Sequence, residues 1–147
     1  MKLDATMIIP GLFQGGKPPE GPHVRMAGFE VLVLCAREYQ PTQFPGVQVI
    51  HAPNDDNGEP ATREDTQVAL QAARQVAAAL ARRKKVLVTC WMGWNRSGLV
   101  SALSLYFYLG VSGFQAARMV KAKRAKALGN QHFFEMLSNL KARPASG

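Results

Sequence analysis

The stretch Val86-Leu-Val-Thr-Cys90-Trp-Met-Gly-Trp-Asn-Arg96-Ser-Gly98 sets a cysteine after an apolar run, then five residues, an arginine and a Ser-Gly pair. Each residue type there suits the handling of a phosphate-sized anion. A short loop wound about the start of a helix turns successive backbone N–H groups inward and makes an anion nest. The helix N-terminus adds its partial positive charge, and Arg96 offers a planar fork to two oxygens. The same donors would hold Cys90 as thiolate, the form that attacks. Ser97 is placed to hydrogen-bond the sulfur and to ease its departure from a covalent intermediate. Cys90, Arg96 and Ser97 are therefore candidate catalytic residues. Trp91, Met92, Gly93, Trp94 and Asn95, with Arg96, form the candidate phosphate-binding loop. The plain alternative is a core cysteine beside a helix-capping arginine.

Such a loop needs a strand that ends at the cysteine and a helix that begins behind it. Val86–Cys90 reads as a buried strand, and Gly98 to Leu109 is apolar on nearly all sides, like a central helix stopped by Gly110. Upstream, Met7–Ile9 and Leu12–Gln14 read as short strands between turns, Val31–Cys35 as a buried strand and Val47–His51 as a shorter one. Thr62 with Asp65 marks a helix start. Val68, Ala72, Val76 and Leu80 then form one stripe that closes on the cations Arg82 to Lys85. Ser112 with Gln115 makes a capping box for a helix through Lys121, and Asn130 caps a last one bearing Phe133, Phe134, Leu137 and Leu140. This alternation predicts an α/β fold, a central and mostly parallel sheet of about five strands with helices on both faces. Ligands in such folds gather at the carboxyl ends of strands, where Cys90 stands. No repeat or linker divides the chain, so one domain is expected over 1–147.

Composition narrows the partners. Eighteen Lys and Arg against ten Asp and Glu give a formal net charge of +8 in 147 residues. That surplus favours anions such as phosphorylated protein, nucleic acid, anionic lipid or phosphate esters. An apolar share of 47% with 19% charged residues excludes a disordered chain. No apolar run approaches the ~20 residues of a membrane span, and the acid in Met-Lys-Leu-Asp argues against an export signal. Two cysteines make no disulfide framework, so a cytoplasmic setting is expected, with a monomer as the default. Cys35 reads as core. His51 and His132 lack metal-ligand spacing, and neither a metal nor a cofactor is implied. Arg118, Lys121, Lys123, Arg124 and Lys126 read as a solvated helix face or a docking surface. Of Trp91 and Trp94, one is expected to pack beneath the loop and the other to rim it.

The segment from Cys90 to Ser97 resembles the signature of the cysteine-dependent protein tyrosine and dual-specificity phosphatases. Ile9-Pro-Gly-Leu-Phe-Gln-Gly-Gly16 is similar to the entry of their compact members, and Ala122 through Lys126, Leu128, Asn130 and Phe133 to their closing helices. The resemblance implies a phosphomonoester hydrolase acting on phosphorylated protein, on tyrosine, with serine or threonine left open. It also implies an aspartic acid that protonates the leaving oxygen. Asp55, 35 positions before Cys90, matches that place, with Asp56 and Glu59 as alternatives. The histidine the family sets before the nucleophile is Thr89 here, a hydroxyl that supports the thiolate less. The RNA 5′-phosphatases of the same superfamily carry a similar Gly93-Trp94-Asn95-Arg96 sequence but are thought to lack the acid. Loops that read phosphoinositides tend to carry lysines, and this one has none. A phosphate-reading module without turnover is the non-enzymatic reading.

Overall fold

The computed structural model describes residues 2–142; Met1 and 143–147 of the expected domain lie outside the described residues. Five strands form one sheet: β1 (Thr6–Ile9), β2 (Leu12–Gly15), β3 (Val31–Ala36), β4 (Gln48–Asn54) and β5 (Val86–Thr89), ordered β1-β2-β5-β3-β4. The β1–β2 pair is antiparallel and every other neighbour is parallel. The helices are α1 (His23–Met26), α2 (Arg63–Ala81), α3 (Arg96–Leu109), α4 (Gly113–Lys123) and α5 (Gln131–Ser138).

Three helix starts follow from single side chains. Thr62 Oγ1 accepts the Asp65 N–H at 3.0 Å, Ser112 Oγ that of Gln115 at 3.1 Å, and Asn130 Oδ1 those of His132 and Phe133 at 2.9 and 3.3 Å. Each satisfies a donor the helix itself cannot. Gly110, at φ +75°, ends α3 in the left-handed region.

Because strand side chains alternate, β3 feeds two cores. Val31, Val33 and Cys35 pack with Val86, Val88 and the apolar stripes of α2 to α5. Leu32 and Leu34 pack on the other face with Leu87, Val24, Phe29 and Phe44. Helices flank both faces, but unequally. The second face has only the single turn of α1, completed by loop aromatics. Pairing of Ala36 with Asn54 carries β4 past His51, where the sequence pattern ends it. Helix α3 begins at Arg96, two residues before Gly98, and α4 continues past Lys121 to Lys123. Among the described residues no helix is long and apolar enough to cross a membrane.

Candidate active site

Strand β5 ends at Thr89 and α3 begins at Arg96, so residues 90–95 turn at the carboxyl edge of the sheet. Four consecutive carbonyls of this loop are held from outside. Trp91 O accepts from the Lys17 N–H at 2.9 Å, and Met92 O from Arg124 Nη2 at 3.1 Å. Gly93 O accepts from Gln14 Nε2 at 3.0 Å and Arg124 Nε at 2.7 Å, and Trp94 O from the Leu128 N–H at 3.0 Å. In a trans peptide the N–H opposes the preceding carbonyl. The N–H groups of Met92, Gly93, Trp94 and Asn95 are therefore turned away from those anchors, into the loop. Gly93 is required at φ +77°, and a Cβ there would stand 2.5 Å from the Gly15 carbonyl carbon. The result is a nest for an anion.

Cys90 is 5% exposed, with Ser97 Oγ 3.2 Å from its Sγ. A hydroxyl at that distance can donate to a thiolate. Arg96, 8% exposed, donates from Nη1 and Nη2 to the Glu38 carboxylate at 2.6 and 2.8 Å, and from Nη1 to Asn54 O at 3.0 Å. Its buried Nε has no hydrogen-bond partner among the described residues. A buried guanidinium N–H in that condition is a donor suited to a bound oxyanion. The Arg96 hydrogen bonds hold the Glu38 carboxyl below its usual range, against the opposing effect of burial. Glu38 went unnoticed in the sequence because its partner is 58 residues away.

The acids separate. Asp55 Oδ1 pairs with Arg37 Nε at 2.9 Å, and the Asp55 N–H donates to Asp65 Oδ2 at 2.9 Å. Arg37 also reaches Asp65 Oδ1. Asp56, one residue on, lines a cavity of about 410 Å³ together with Glu38, Cys90, Trp91, Met92, Trp94, Asn95 and Arg96. Its Oδ2 accepts from Asn95 Nδ2 and its Oδ1 from Asn130 Nδ2, both at 2.8 Å. The structure thus brings Cys90, Arg96, Ser97 and the loop together, with Asp56, the alternative acid, on the cavity lining and Asp55 off it. Glu59 does not line this cavity. Asn57 Oδ1 accepts the Glu59 backbone N–H at 3.1 Å.

Trp91, 44% exposed, and Met92, 53% exposed, form an apolar rim. Lys17 Nζ lies 4.5 Å from the Trp91 ring and 4.7 Å from that of Tyr39, and Lys126 Nζ lies 5.1 Å from the half-buried Trp94. Thr89 Oγ1 donates to Val33 O at 2.8 Å, tying β5 to β3 rather than to the loop. Cys35 is fully buried, and burial pushes its thiol well up, with Cys90 adding to the effect, so it stays protonated. The basic run is not one solvated face: Arg124 buries its guanidinium against the loop. Among the described residues no three His, Cys, Asp or Glu gather as a metal site.

A family model described as dual specificity phosphatase, catalytic domain, matches residues 15–143. Tk-PTP in its active form is 27% identical, with 98% of this chain and 100% of that chain covered at a TM-score of 0.78. Human DUSP28 is 24% identical, with 93% and 92% covered at 0.74, and the Cydia Pomonella PTP-2 phosphatase 21% identical, with 93% and 89% covered at 0.75. The last two speak for the fold alone. No curated protein matches the chain. With the family model spanning β3, β4 and β5, the loop from Cys90 to Arg96 and the closing helices, this chain belongs to the dual specificity phosphatase catalytic-domain family and is a cysteine-dependent phosphatase.

Proposed function

We propose that the chain hydrolyses phosphomonoesters of phosphorylated protein, phosphotyrosine first, through a phosphocysteine intermediate. The Cys90 thiolate attacks phosphorus, an S–P bond forms, and the ester P–O bond breaks. Asp56 gives its proton to the departing oxygen. Water then attacks phosphorus and its proton passes to Asp56. The S–P bond breaks, inorganic phosphate leaves, and the Ser97 hydroxyl supports the returning thiolate. Throughout, the loop N–H groups and Arg96 hold the oxygens that do not react.

One observation carries this reading: four outward-anchored carbonyls follow directly on a buried cysteine whose sulfur faces a serine hydroxyl. Asp56 takes the acid role, and not Asp55, because it shares the cavity with Cys90 while Asp55 is paired to Arg37. That acid and the apolar rim favour an aryl phosphate on protein over triphosphate-ended RNA, which the net charge of +8 would also attract. Initial rates on phosphotyrosine peptide, phosphoserine peptide and triphosphate-ended RNA, at equal concentration and physiological salt, test the assignment. The expected order puts phosphotyrosine first. RNA ahead of both peptides overturns it, and no turnover of any substrate leaves a phosphate-reading module instead.

A further inference from the structure

Asp56 is held from both sides by amides whose orientation is fixed. Asn95 Oδ1 accepts the Asn130 backbone N–H at 2.9 Å, and Asn130 Oδ1 accepts the N–H groups of His132 and Phe133. A backbone N–H can only donate, so each side-chain oxygen is assigned and each NH₂ must be the group that faces Asp56. Those two NH₂ groups donate to Oδ2 and Oδ1 at 2.8 Å each. Asn95 belongs to the nucleophile loop, and Asn130 is the cap of α5.

We infer that Asn95 and Asn130 form a clasp that positions Asp56 over the phosphate pocket, so that the cap of the closing helix α5 sets the reach of the catalytic acid. The inference rests on Asp56 as the general acid. The clasp also constrains the proton. An ionised carboxylate accepts from both amides, but a carboxylic acid carries an O–H, and that O–H cannot face an NH₂ donor. Neither amide can turn round without giving up a backbone N–H. Each carboxyl oxygen has two acceptor positions and the amides take one on each, so the proton is confined to a position that the clasp leaves free. Asn95 and Asn130 are positioning residues, acting through Asp56.

Asn130→Ser keeps an oxygen that can cap α5 but is too short to reach Asp56, whereas Asn130→Ala loses both. Both variants should lower kcat on phosphotyrosine peptide about tenfold with little change in KM, and slow 4-nitrophenyl phosphate, whose leaving group needs little proton help, by less than about threefold. Only Asn130→Ala should lower Tm, by about 3 °C. In an Asp56→Asn background, Asn130→Ser should add nothing to the loss of phosphotyrosine turnover. Equal slowing of both substrates, or additive slowing in the Asp56→Asn background, overturns the clasp. An unaffected Asn130→Ser beside a crippled Asp56→Asn overturns the clasp alone. Should Asp56→Asn itself turn over phosphotyrosine at the wild-type rate, the acid assignment falls and the clasp with it.

Discussion

Gly93 and Arg96 show how much the site depends on single groups. Gly93 combines a left-handed backbone with contact against Gly15 and Arg124, so an added methyl meets backbone on one side and a guanidinium on the other. Gly93→Ala is expected to cut kcat/KM by at least about 10²-fold, because the loop must shift by a fraction of an ångström or more. Steady-state kinetics on a phosphotyrosine peptide check this, and wild-type rates would show that the nest tolerates displacement. Arg96 meets Glu38 through both Nη atoms, a geometry that a lysine ammonium cannot copy. Arg96→Lys should lose about 10²-fold or more in kcat/KM and weaken inorganic phosphate as an inhibitor. That Cys90, Arg96 and Ser97 would lie together was legible from one stretch of thirteen residues, since their spacing is local. The pair Asp55 and Asp56 was legible as candidate acids, but which of them lines the cavity was not. What turns Asp55 aside is Arg37 and Asp65, which meet it from other segments of the chain, and no local pattern announces such partners.

At the scale of elements, the end of α4 is as important to the loop as the strand that precedes it. Arg124 follows α4, grips Met92 and Gly93, and is itself gripped through Nη1 and Nη2 by Asp4 at 2.8 and 2.7 Å. Asp4 thus braces these two peptides through a residue 120 positions later. In the sequence Arg124 is one cation among five, and the charge pattern cannot tell the braced one from the solvated ones. The Arg124 hydrogen bonds lead in holding the Asp4 carboxyl below its usual value, despite partial burial. A lowered carboxyl stabilises the fold above the unfolded value of about pH 4, and that contribution is lost as pH falls through the lower, folded value. Wild-type Tm should therefore drop more steeply than that of Asp4→Asn on acidification below about pH 4. Thermal scans across that range decide it, and parallel curves would mean the brace adds no stability. The capped starts of α2, α4 and α5 were legible because each cap is a contact over two or three residues. The continuation of β4 to Asn54 was not, since it depends on pairing with Ala36.

For the whole molecule, an α/β sheet with Cys90 at a strand's carboxyl edge follows from alternation of apolar strands and amphipathic helices. The unequal cover of its two faces does not, because α1 is a single turn with no periodicity to read. The +8 charge belongs to this scale, and a surplus of that sign is expected to draw anionic substrates in before any contact forms. Screening lengths shrink from about 30 Å to about 3 Å between roughly 0.01 M and 1 M salt. kcat/KM on an acidic phosphopeptide should fall across that range while kcat holds, and a salt-independent kcat/KM would remove steering from the account. The central claim is that Cys90 forms the bond to phosphorus in a nest that does not need the sulfur in order to bind. Its most direct test compares wild type and Cys90→Ser for phosphotyrosine turnover and for the rise in Tm on adding inorganic phosphate. The predicted result is turnover abolished in the variant with the phosphate-induced rise retained; turnover within about tenfold of wild type, a barrier change of only about 1.4 kcal/mol, would contradict it.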